Sequence, residues 1–202
     1  MIPEKKITVE DVKYVLSSHY QGTSYDPYAS YGEKEQRGAF RSIGVNRTDF
    51  LSLIQMRPGM EKDCNILEWV AFASNAFNVL APFYTDMDTT PGYLSGTNGK
   101  VSTENFYWMS RMIAAMADAS YSKSVFHIER YQEKVAAKSH EILNRYDTLL
   151  EQETDEETRK KLQEEANEKI AGMLQCAAAD TLDKVLYELS GQMKNAYARS
   201  DA

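Results

Sequence analysis

Apolar residues recur with a helical period at both ends of this chain and with a period of two in the stretch between. Val9, Val12, Val15 and Leu16 share one helical face behind Thr8, and Asp11 stands three positions after that threonine, the spacing of a capping box. A short helix ending near His19 is predicted. From His19 to Gly38 no period survives; Gly22, Pro27, Gly32 and Gly38 punctuate an irregular connection, and tyrosines at 14, 20, 25, 28 and 31 argue against full disorder there. Three β-rich runs then predict strands over 39–45, 50–56 and 66–73, joined by "NRTD" and by a turn containing Pro58 and Gly59, with antiparallel neighbours as the economical pairing. In the first run, alternation places Arg41 on one side with Ala39, Ile43 and Val45. Such an arginine either snorkels to the sheet edge or points into a pocket, because a buried unpaired charge is very costly.

A long loop with Pro82 and Pro91 follows, and the helical period returns behind Ser102 as Phe106, Met109, Ile113, Met116, Val125, Ile128, Val135, Ile142, Tyr146 and Leu149, with a break expected between Ser120 and Ser124. Thr154 and Glu157 read as a second capping box, ahead of a stripe running from Leu162 through Ile170 and Val185 to Met193. Gly172 weakens that helix without having to break it. The pattern predicts an α+β protein in two units: a helix, loop and three strands over residues 1–101, then a helical layer and antiparallel hairpin over 102–202.

Composition narrows the function. In 202 residues, 43% are hydrophobic and 26% charged, as in an ordinary globular domain. The net charge of −7, with a pI near 5.1, argues against partners that need a basic face, so neither nucleic acid nor an anionic membrane is expected. "MIPEKKITVEDV" carries no secretory signal pattern, and a cytoplasmic location is the expectation. Cys64 and Cys176 are too few and too far apart for a disulfide framework or a zinc site; His127 and His140 lack companions at ligand spacing, so neither metal nor cofactor is expected. No phosphate loop, HExxH, CxxC or GxSxG occurs. Cys176 sits in a helix and Cys64 in an acidic turn read as exposed, a poor setting for a nucleophile in either case. The mixed-sign run from Glu151 to Lys169 reads as the solvated tip of the hairpin.

"HYQGTSYDPY", "RSIGVNRTDFLSLIQMRP", "LEWVAFASNAFNVLAPFY", "TPGYL" and "ENFYWMSRMIAAMAD", in this order, resemble the C-terminal half of cysteine dipeptidases of the dipeptidase A type, N-terminal nucleophile hydrolases related to penicillin V acylase and bile salt hydrolase. The resemblance covers most of the first 130 residues and implies an αββα sandwich. It also implies a mature N-terminal cysteine as nucleophile with its own α-amine, which titrates near neutrality, as general base. This sequence starts Met1-Ile2-Pro3, so the nucleophile and its sheet are expected on a missing N-terminal half, and the chain alone is expected to be inactive.

The resemblance implies an arginine beside the nucleophile, with Arg41 the first candidate and Asn46 and Arg47 next. His19, Tyr20, Thr23 and Asp26 become substrate-pocket candidates because their loop matches, though a purely structural lid stays open. The implied partners are a dipeptide substrate in the intact enzyme and the missing half, or a second copy through self-association. A non-catalytic helical interaction module is the alternative. If half a fold is absent, the sheet face assigned to Ile43 and Val45 should carry an exposed apolar patch.

Overall fold

The computed structural model describes residues 4–194; the outermost parts of the two expected units, residues 1–3 and 195–202, lie outside them. In chain order the elements are α1 (Val9–Leu16), β1 (Phe50–Met56), β2 (Ile66–Phe72), β3 (Ala81–Tyr84), α2 (Phe106–Ala119), α3 (Tyr121–Gln152) and α4 (Glu156–Ser190). Thr8 and Asp11 cap α1 reciprocally as the spacing predicts, the Thr8 N–H donating to Asp11 Oδ2 at 2.9 Å and the Asp11 N–H to Thr8 Oγ1 at 3.2 Å.

The sheet is antiparallel in the order β1-β2-β3, with Phe50 opposite Phe72 and Met56 opposite Ile66. Two of its strands are those predicted over 50–56 and 66–73; the third is not. Residues 39–45 form no strand but a loop held against the end of α1, where the Gly44 N–H donates to Ser18 O at 2.8 Å. Gly44 fits only because it has no side chain: a Cβ there would stand 2.4 Å from the Ser17 carbonyl oxygen. Arg41 is consequently on no strand face, and Ile43, though exposed, is on no sheet. The third strand is instead "APFY", four residues too short and too proline-marked to show a period.

Helices meet both faces of the sheet. Trp69 packs on His140 of α3 with ring centroids 5.6 Å apart, and Tyr84 donates its hydroxyl to Asp147 of α3 at 2.7 Å. Phe72, on the opposite face, packs edge-on against Phe106 of α2 at 5.3 Å. The long helix does break where expected, at Ser120, but its first part is capped by Asn105 in place of Ser102, because the Asn105 side-chain oxygen Oδ1 accepts the N–H groups of Tyr107 and Trp108. Asp155, not Thr154, caps α4, accepting the Thr158 N–H at 2.9 Å, and α4 continues unbroken through Gly172. Ile128, Val135 and Tyr146 of α3 and Ile170, Leu174 and Val185 of α4 are buried in the same core as Leu67, Trp69 and Tyr84. Most of both hairpin stripes is therefore consumed within this chain, while Leu149 and Met193 at their ends stay exposed. At its tip Arg159 grips Asp63 in bidentate fashion, at 2.6 and 2.7 Å, tying α4 to the β1–β2 turn.

The two sheet edges differ. Beside β3, the side-chain amide of Asn167 accepts the Tyr84 N–H at 2.9 Å and donates to the Tyr84 carbonyl at 3.0 Å, taking the place of a neighbouring strand. Beside β1 no strand of the described residues stands, and Phe50 and Ile54 (both 54% exposed) and Met56 (78%) are open to solvent. An exposed apolar patch thus exists, on β1 and not at Ile43 and Val45. No helix of the described residues is long and apolar enough to cross a membrane.

Candidate functional site

The loop from His19 to Arg47 folds back on the start of α3, and two hollows open along it. The ring of Tyr28 stacks on Tyr121 at 4.6 Å, and His19 meets it edge-on at 5.1 Å. On the α1 side lies a cavity of about 520 Å³ with His19, Lys13, Trp69, Phe77 and Ile128 in its wall, within the range of small-ligand sites. The second is a cleft of about 300 Å³ lined by Tyr28, Phe40, Arg41, Asn46 and Arg47.

The sequence candidates divide accordingly. Arg41, Asn46 and Arg47 come together around the second hollow, all exposed, so the loop gathers two guanidinium groups and an amide at one mouth. Asn46 also borders a smaller hollow of about 170 Å³ shared with Ser74, Arg111 and Asp118. His19 and Asp26 are buried, at 7% and 4% exposure, and pair through His19 Nδ1 and Asp26 Oδ1 at 3.1 Å. The same carboxylate oxygen accepts the Tyr28 N–H at 2.9 Å. This pair fixes the loop beneath the tyrosines. Tyr20 and Thr23 border neither of these hollows; Thr23 Oγ1 donates to Tyr20 O at 2.7 Å in a local turn whose Tyr20 sits at φ 63°.

Lys13 escaped the sequence reading. It lies on the same helical face as Val9, Val12 and Leu16, and a lysine on an apolar stripe was the available signal. Its ammonium donates to Ser17 Oγ at 2.9 Å, Asn75 O at 2.6 Å and Asn78 Oδ1 at 2.5 Å, pinning the β2–β3 connection to α1. Burial pulls its pKa down to about 7. Tyr28 escaped as well: burial, and then the Asp118 carboxylate, push its phenol up, and Tyr121 is pushed up to about 12 by burial and Asp26. Both phenols keep their protons, and that of Tyr28 is engaged with the Asp118 carboxylate.

Cys64 is buried, contrary to the exposed turn expected, because Arg159 and the hairpin tip close over it. Burial, and then Asp63, push its thiol up, which leaves it unreactive. Among the described residues no group of three or more histidine, cysteine, aspartate or glutamate side chains is placed to hold a metal ion.

Residues 1–134 match the family described as Peptidase family C69. The chain is 41% identical over 200 residues to "Probable dipeptidase A" of Streptococcus pyogenes serotype M18, covering 98% of this chain and 41% of that protein. It is 37% identical over 236 residues to "Dipeptidase" of Bifidobacterium longum, with 98% of this chain and 44% of the relative covered. To "Dipeptidase A" of Lactobacillus helveticus it is 33% identical over 187 residues, covering 93% and 37%. The chain thus spans roughly two fifths of the length of these curated relatives.

Proposed function

Since the chain belongs to Peptidase family C69, we propose that it forms part of a cysteine dipeptidase, supplying one wall of a pocket completed by polypeptide that it does not contain. The observation that carries this is the match over nearly the whole chain to proteins named dipeptidase that are more than twice as long.

In this reading the complete fold is the αββα sandwich of N-terminal nucleophile hydrolases, and the three-stranded sheet is a portion of one of its two sheets. The nucleophile is a processed N-terminal cysteine on the remaining polypeptide. Its α-amine takes the thiol proton, the thiolate attacks the carbonyl of the dipeptide bond, and the amine leaves with a proton returned by the same group. Water then releases the acyl-enzyme by the reverse use of that base.

This chain's own residues assist around the reaction. Arg41, Asn46 and Arg47, gathered at one exposed mouth, offer the donors that a developing oxyanion or a substrate carboxylate needs. His19 Nδ1 and Asp26 Oδ1 are engaged with each other and Oδ1 also with the Tyr28 N–H, so this pair acts by holding the loop in place. Tyr20 and Thr23 shape the same loop from outside the hollows.

The test is to co-express this chain with the unmatched part of the Streptococcus pyogenes relative, processed to begin with cysteine, and to assay unblocked dipeptides. Hydrolysis by the pair and none by this chain alone is the expected result. Inactivity of a folded, purified pair argues against the reading.

A further inference from the structure

The two edges of the sheet carry the inference. In the β1–β2 ladder the Ala73 N–H donates to Asp49 O at 2.9 Å, and the Arg57 N–H donates to Asn65 O at 2.7 Å. Those bonds fix the phase of the antiparallel ladder: Leu51, Leu53 and Gln55 turn their N–H and C=O groups toward β2. Phe50, Ser52, Ile54 and Met56 therefore direct theirs outward, along an edge where no strand of the described residues lies. Their side chains also share the sheet face on which Phe50, Ile54 and Met56 are more than half exposed.

Edges left to solvent are ordinarily guarded by charge, proline, a bulge or a covering segment. "FLSLIQM" has no charge and no proline, and it pairs with β2 residue for residue with no bulge. The β3 edge of the same sheet does carry such a guard in Asn167. An unguarded apolar edge beside a guarded one marks the side on which the sheet continues.

We propose that β1 is the docking edge for the rest of the dipeptidase fold. The occupant is an uncharged, extended segment, with apolar residues at alternate positions, from the part of the family's length that this chain does not match. That part amounts to roughly three fifths of the Streptococcus pyogenes relative, ample to continue the sheet. The added strand takes up the outward groups of Phe50, Ser52, Ile54 and Met56, and its side chains, with the layer behind them, cover the bare face. This rests on the proposed function, and it adds where the two parts meet.

The experiment is recovery of the complex when a tagged form of this chain is co-expressed with the unmatched part of the Streptococcus pyogenes relative. Ile54→Pro removes an outward N–H without touching the β2 ladder, and Ile54→Lys places a charge on the bare face. Each is expected to lower recovery by about tenfold or more, the scale of one lost hydrogen bond for the proline variant and of an unpaired charge carried into an apolar contact for the lysine variant. Tyr187→Lys, on the exposed side of α4, leaves recovery unchanged. Circular dichroism checks that each variant is folded, and Ile54→Lys alone decides if the proline variant is not.

Equal recovery from all variants overturns the docking edge while leaving the dipeptidase reading in place. No complex with the unaltered chain overturns both. A chain that dimerises alone through Ile54 and captures no partner shows a second copy as the occupant, which also overturns the proposal.

Discussion

The β3 edge and the β1 edge belong to one three-stranded sheet, yet they meet their surroundings in opposite ways. At β3 every nearby element contributes: Asn167 mimics a strand, Asp147 accepts from Tyr84, and α4 packs its apolar stripe behind them. At β1, no strand of the described residues meets the outer hydrogen-bonding row, and three large apolar side chains are more than half exposed. The lesson is that local completeness is uneven. The described residues close one side of the sheet and leave exposed apolar side chains along the other.

The contrast can be broken most forcefully from the closed side. Asn167→Ala leaves the buried N–H and C=O of Tyr84 without partners, and a loss of about 3 kcal/mol in urea unfolding is expected. A loss under about 0.5 kcal/mol would mean that water or a shifted helix seals that edge equally well. A smaller loss, about 2 kcal/mol, is expected for Asp26→Ala, which strips partners from His19 and from the Tyr28 N–H. If the same substitution in an assembled, active dipeptidase leaves dipeptide turnover unchanged while lowering the unfolding midpoint, the His19–Asp26 pair is an anchor, not a substrate contact.

Lys13 sharpens the comparison through pH. Below about pH 7 both folded and unfolded chains hold its proton, and folding bears the full cost of burying the charge. Between about 7 and the ordinary lysine value, the folded chain gives up the proton while the unfolded chain keeps it. The unfolded state then binds more protons, so this residue makes stability rise with pH across that window. In Lys13→Met that contribution disappears, and urea midpoints measured from about pH 6 to about pH 10, which spans most of that window, should show a flatter profile. An unchanged slope would place the ammonium in contact with solvent.

The smallest effect belongs to the open edge: Ile54→Lys should change the stability of the chain alone by less than about 0.5 kcal/mol, as for any solvent-facing site. A larger loss would reveal that the edge is already covered.

The periodic part of the fold was legible in the sequence, on the open edge as well as in the helices. The stripes of α3 and α4, the Thr8–Asp11 cap and the strands at 50–56 and 66–73 all rest on spacings that the fold obeys. What failed was the non-periodic part. Residues 39–45 alternate like a strand, but Gly44 is pressed onto Ser17 and the run bends into a loop. "APFY" is too short to alternate, and its pairing depends on Asn167, eighty-three positions away along the chain from Tyr84.

The candidate site was legible only in composition. That Arg41, Asn46 and Arg47 share one hollow follows from the loop's path and not from any strand face. Lys13, hidden in a valine-rich helix, needed its distant acceptors Asn75 and Asn78 to acquire meaning.

Asn167 has one more consequence, which concerns aggregation. Open-ended stacking of sheets needs two usable edges per molecule, one to accept a neighbour and one to offer the next. With β3 plugged, this chain has a valence of one. Two copies could pair across β1 and then stop, so any self-association of the free chain through that edge would close as a pair and not extend into a fibre.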